Sequence, residues 1–181
     1  MARMTLPLVE AMNIGQRAVF DEAVGGIRGR APAPLAAWIR NPELARRAQK
    51  LGEAMRYGTS LDPALSELAI LVTARHWTSH YEWSVHKAAA LKAGLPPSVI
   101  AAIAARMPPP FDEPRQAMVF EVSTTLLDSK QLPQALYDRA IATLGEAGLV
   151  DLIGILGYYA LVSMTLNCFE IGLPEALAPE L

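Results

Sequence analysis

Cysteine is nearly missing from this chain: 181 residues hold one thiol, Cys168. A single thiol can form neither an intrachain disulfide nor a thiolate cluster, which excludes a secreted disulfide scaffold and a cysteine-ligated metal site. Set within the apolar "LNCFEI", Cys168 reads as a small core residue rather than a nucleophile. Charge is scarce as well. Charged residues make up 19%, the formal net charge is -2, and no run of lysine or arginine occurs. The electrostatic footprint of a nucleic-acid binder is therefore missing. The N-terminal "MARMTLPLVEAMN" has no sustained apolar stretch that would serve as a secretion signal, so the expected location is the cytoplasm. No segment alternates apolar and polar residues in the manner of a strand.

What the chain has in abundance is apolar helical sequence. Hydrophobic residues are 52% of the total, enough for one domain with a substantial core. The longest apolar run, "GLVDLIGILGYYALVSMTLNCF" (Gly148 to Phe169), is long enough to span a membrane. It contains Asp151 and Asn167 and lacks basic flanks, so it reads as a helix buried nearly all round, over residues 146–171. Such a helix in so small a domain implies a homo-oligomer and no membrane partner.

Proline and glycine punctuate the rest. Asn41-Pro42 and Asp62-Pro63 each pair an N-cap with proline at the first helical position, opening "PELARRAQKLGEAMRYG" and "PALSELAILVTARHW". In the second, Leu65, Leu68, Ala69 and Val72 make an apolar stripe. A break at Thr78-Ser79 leads to "HYEWSVHKAAALKAG", closed by Gly94, so residues 62–95 form a helix pair. Further helices are expected from "PSVIAAIAARM", from "DEPRQAMVFEVSTTLLDS" starting at Asp112, and from "PQALYDRAIATLG". Residues 1–40 give one helix, "GQRAVFDEAVGG", and a Gly/Pro-rich connection through "RGRAPAP". The expected fold is all-α: residues 1–181 as a single antiparallel helical bundle.

All three histidines fall in this helix pair, within eleven residues. On a helix starting near Ser79, residues 79, 82 and 86 share a face, and Glu82 can meet His86 one turn on. A carboxylate beside an imidazole holds its tautomer and favours its charged form, as general acid–base chemistry near neutral pH requires. Ser79 and Glu82 also fit the S-x-x-E capping box, in which case Ser79→Ala would cost about 1 kcal/mol. Glu67, set among Leu65, Leu68, Ala69 and Ile70, is a second candidate carboxylate for proton transfer, or else a first-turn residue favoured by the helix dipole. His76, His80 and His86 straddle the helix break without a zincin motif, so no metal is expected. Of Trp77, Tyr81 and Trp83, at least two are expected in packing, although Tyr81 and Trp83, with Ser79, are also candidates to line a substrate pocket.

"LSELAILVTARHWTSHYEWSVHKAAALKAGL", with "ILGYYALVSMTLNCFEIGLP" much later, resembles the carboxymuconolactone decarboxylase family, whose relatives include alkylhydroperoxidases of the same all-helical fold. In the redox branch the second helix starts with C-x-x-C-x-x-x-H, and a glutamate stands twelve residues before the first cysteine. Here those positions read Ser79, Glu82, His86 and Glu67. Both redox thiols are gone, which disfavours peroxide reduction. The resemblance implies cofactor-independent decarboxylation of a small carboxylated lactone or similar acid, a reaction of aromatic-acid breakdown, with Glu67, Glu82 and His86 catalytic. The helix start at Ser79 to Tyr81 would meet negative charge, and Arg28, Arg30 or Arg75 would recognise substrate carboxylates. The resemblance also implies a trimer or hexamer. Beside this reading stand thiol-linked peroxidase activity and a non-catalytic helical binding or assembly role.

Overall fold

Proline decides where half of the helices begin. The computed structural model describes residues 2–173 and 177–181. Among these the elements are a short 3-10 turn at Val9–Ala11, then α1 (Ile14–Gly25), α2 (Leu35–Trp38), α3 (Pro42–Tyr57), α4 (Pro63–His76), α5 (His80–Lys92), α6 (Pro97–Ala104), α7 (Pro114–Ser129) and α8 (Gln134–Cys168). Helices α3, α4, α6 and α7 each carry proline in the first turn, where its missing N–H would lack a helical partner anyway. The Asn41 side chain accepts from the Leu44 N–H at 3.1 Å, and Asp62 accepts from Leu65 at 3.1 Å. Helix α7 is capped one residue later than expected: Glu113, not Asp112, accepts from the N–H groups of Arg115 and Gln116. The fold among the described residues is all-helical, as expected.

Helix α4 is the centre, packed against α5, α6, α7 and α8. Its ten consecutive residues Leu65 to Ala74 are all buried, so the expected apolar stripe is instead a helix covered on every side. The reverse holds for α8, expected to be covered nearly all round. Val150, Ile153 and Met164 are 70%, 41% and 44% exposed, three apolar residues on one face by helical periodicity. By length and composition α8 could cross a membrane, yet 56% of its apolar window is buried within the fold, against α3, α4 and α7. The helix turns sharply at Gly145, whose φ of 76° suits glycine, so the break expected after "PQALYDRAIATLG" is present. Cys168, expected in the core, is exposed at the last residue of α8.

The Gly/Pro-rich connection is not featureless. It holds α2, whose Trp38 packs edge-on to Tyr158 at 6.4 Å and donates its indole N–H to Thr165 Oγ1 at 2.9 Å. That buried bond fastens the N-terminal segment to α8 and brings residues 28–34 over the middle of the bundle.

The turn between α4 and α5 is tight. Thr78 takes a left-handed conformation with φ of 47°, uncommon for a β-branched residue. The N–H groups of Thr78 and Ser79 return to the carbonyls of Arg75 and Ala74 at 3.2 and 2.8 Å, closing α4 in a Schellman motif. The capping box expected for α5 does not form. Ser79 occupies the N-cap without a side-chain cap bond, its buried hydroxyl has no partner, and Glu82 turns to His86 instead. A buried hydroxyl without partners contributes nothing that alanine would lose. Ser79→Ala is therefore expected to be neutral or stabilising in urea unfolding, and a loss of about 1 kcal/mol would restore the capping role.

Candidate active site

Glu67 enters the buried stretch of α4 one turn after its start and is 8% exposed. A carboxylate in such surroundings needs a partner, because desolvation of an unpaired charge costs several kcal/mol. The partner comes from α5. His86, 2% exposed, places Nδ1 2.6 Å from a Glu67 carboxylate oxygen. Its other nitrogen, Nε2, lies 3.2 Å from Glu82, four residues earlier on the same helix and 6% exposed. The Tyr159 ring meets the imidazole edge-on at 4.9 Å. One imidazole thus bridges two buried carboxylates contributed by neighbouring helices.

Burial by itself would lower the His86 pKa, since it penalises the imidazolium. The hydrogen bonding and charge of Glu67 and Glu82 outweigh it, and the value is raised above the usual histidine range. Nδ1 faces Glu67 and Nε2 faces Glu82, so each ring nitrogen has a carboxylate with which to share a proton.

Above this cluster is a recess of about 40 Å³, lined from four parts of the chain. Glu82, His86 and Tyr81 come from α5, Tyr158 and Tyr159 from α8, Arg56 from α3, and Arg28 and Arg30 from the connection before α2. Glu67 lies behind His86 and does not line it. Arg28, Arg30 and Arg56 form no ion pair among the described residues. Arg28 is held by donating to the Gly52 carbonyl at 3.0 Å. The same glycine receives the Tyr158 hydroxyl: a Cβ there would overlap it. Burial, then the charge of Glu82, pushes the Tyr159 phenol well above its ordinary value. Burial is also the largest cause of the upward shift at Tyr158. Both phenols are therefore hydrogen-bond donors at neutral pH.

Of the residues singled out from sequence, Glu67, Glu82 and His86 come together, and Tyr81, Arg28 and Arg30 join them at the recess. Ser79 does not: it lines a separate cleft with His80, Asn167 and Glu170, so the start of α5 opens away from His86. Trp83 is 1% exposed and faces yet another groove, donating its indole N–H to Glu180 at 3.2 Å. Position 83 is one residue from 82, about 100° round the helix, which turns it from the recess. His76 sits 3.4 Å from Asp128 and Arg75 hydrogen-bonds the Ala104 carbonyl, both elsewhere. Among the described residues no group of three or more histidine, cysteine or acidic side chains is arranged to hold a metal ion. Arg56, Tyr158 and Tyr159 were missed from sequence. The tyrosine doublet in the otherwise apolar "ILGYYALV" is a signal in retrospect; Arg56 in "EAMRYG" carried none.

His86 also holds the fold together by bridging the two buried carboxylates. Removing it leaves two buried carboxylates unanswered, and His86→Gln is expected to cost roughly 3–5 kcal/mol in urea unfolding. A raised folded-state pKa makes this stabilisation complete below the unfolded value of about 6.5. It is lost as the pH rises through the folded value. The stability gap between wild type and His86→Gln should therefore be widest near pH 6 and shrink towards alkaline pH; a gap that widens with pH would contradict the bridged imidazolium.

Comparison with known proteins bears on the fold. The model of the carboxymuconolactone decarboxylase family matches residues 42–123, the span from α3 into α7 that carries Glu67, Glu82 and His86. No curated protein matches the chain. Among solved structures, an alkylhydroperoxidase AhpD core, an uncharacterized peroxidase-related protein from Ralstonia eutropha JMP134, superposes with a TM-score of 0.77 at 17% identity. The match covers 97% of this chain and 93% of that one. An uncharacterized peroxidase-related protein from Silicibacter sp. TM1040 gives 0.73 at 16% identity, covering 98% and 91%. At such identities the likeness is one of fold. Residues 42–123 thus match the carboxymuconolactone decarboxylase family model, and the whole chain shares the all-helical fold of the AhpD core.

Proposed function

We propose that this protein is a cofactor-independent decarboxylase acting on a small carboxylated lactone or similar acid, with Glu67, His86 and Glu82 as its proton relay. The observation that carries the reading is a buried imidazole bridging two carboxylates below a recess lined by three arginines without ion-pair partners. Guanidinium groups recognise carboxylates in a forked geometry, so Arg28, Arg30 and Arg56 suit an anionic substrate. In the proposed step the bond to the substrate carboxylate breaks and carbon dioxide leaves. The bonding pair flows into a conjugated carbonyl to give an enolate, whose oxygen the protonated tyrosines of the recess would stabilise. Glu82, or Nε2 of His86 directly, then delivers a proton to carbon; solvent restores it to the relay, and Glu67 keeps the imidazole in its tautomer throughout.

The recess is barely larger than one water molecule's share of liquid volume, about 30 Å³. A compact acid is favoured. Thiol-linked peroxide reduction would require an attacking thiolate and a resolving thiol, and the chain's one cysteine, Cys168, does not line the recess. The same reading extends to self-association through the exposed α8 face of Val150, Ile153 and Met164, which a monomer leaves in water.

The test is carbon dioxide release from a panel of carboxylated lactones and β-keto acids. Glu82→Gln, close in shape but unable to exchange a proton, is expected to lower kcat about 100-fold or more. Arg56→Gln is expected to act chiefly through KM. Turnover unchanged in Glu82→Gln would remove the relay. No release from any substrate by the wild type would shift the weight to a binding or assembly role.

A further inference from the structure

A second cavity, of about 330 Å³, lies between α4, α7 and the segment after α6. It is far roomier than the recess above His86 and falls within the range of small-molecule pockets, roughly 300–1,000 Å³. Its α4 residues Val72 and His76 are five and nine positions beyond Glu67, about 140° and 180° round the helix. The cavity therefore belongs to the opposite flank of the central helix.

Its chemistry is two-sided. Ile103, Phe120 and Leu127 supply an apolar lining, and Arg75 and Arg106 supply positive charge. Neither arginine is in an ion pair among the described residues. Arg75 is pre-positioned: Nε donates to the Ala104 carbonyl at 2.8 Å, and Nη1 lies 3.4 Å from Thr78 Oγ1. Arg106 sits at the left-handed position that closes α6, with φ of 56°. Its N–H and that of Met107 return to Ile103 and Ala102, so the backbone beneath it is fixed. Burial, and second the charge of Arg106, lowers the Arg75 pKa, so the two guanidiniums feel one another. The acidic residue of the lining, Asp128, is turned largely to solvent and lies 3.4 Å from His76 Nδ1. Two like charges side by side above an apolar pocket are what an amphipathic anion would satisfy.

We infer that this cavity binds a small monocarboxylate with an apolar, aryl-sized body, its carboxylate between Arg75 and Arg106 and its body against Ile103, Phe120 and Leu127. The site is independent of the proton relay and holds whether or not that relay decarboxylates anything.

The experiment uses the full chain and 4-fluorobenzoate as probe, followed by fluorine NMR, with amide shifts to locate it. Saturable binding is expected, with shifts concentrated at Val72, Thr124 and Leu127. Arg106→Gln, at an exposed position, should weaken it about tenfold or more, the loss of one charge-assisted hydrogen bond. The uncharged 4-fluorobenzyl alcohol should bind weaker by a similar factor, and inorganic phosphate should not compete. Arg56→Gln, in the other recess, should leave binding unchanged. Equal affinity for acid and alcohol, no effect of Arg106→Gln, competition by phosphate, loss of binding in Arg56→Gln, or no saturation would each overturn the assignment.

Discussion

The structure turns on one imidazole held between two carboxylates inside a helical core. A central helix with ten consecutive buried residues has no place for Glu67 unless something charged or hydrogen-bonding answers it. His86 does so at 2.6 Å, and this fixes how α5 lies against α4. The left-handed Thr78 makes the reversal between the two helices short enough for that register. Replacing such a cluster by apolar residues of similar volume is often neutral or stabilising. The packing of the domain alone would not require it.

The surroundings divide the labour. Glu82 and His86 both line the recess, while Glu67 does not. The rim is cationic and the inner wall carries protonated phenols. Ser79, at the start of α5, faces another cleft, and Glu82 lines the recess beside His86.

Much of this was legible. The prolines and the caps Asn41 and Asp62 set helix starts locally, through backbone groups within one turn, so they could be read residue by residue. The spacing of Glu82 and His86 put them in contact because helical geometry is itself local. Where the reading failed, the deciding partner was remote. Ser79 looked like a cap for Glu82 to complete, but the Glu82 carboxylate is taken by His86, itself engaged by a residue nineteen positions before it. Trp83 looked like a pocket residue and is core. The apolar patterns of α4 and α8 suggested opposite degrees of burial from those found, because coverage depends on how many other helices arrive, not on the pattern of one.

The sequence by itself determined an all-helical domain, the positions of its breaks, the single cysteine, and the pairing of Glu82 with His86. Only the tertiary structure decided that Glu67 completes that pair. It also brought Arg28, Arg30 and Arg56, from two segments distant in sequence, to one recess with Tyr158 and Tyr159, and left Arg75 on the other flank of α4. The physical reason is the reach of the forces involved. Caps, turns and i, i+4 contacts act within a few residues, while the recess exists because Trp38 bonds to Thr165 across 127 positions, folding a Gly/Pro-rich connection over the bundle.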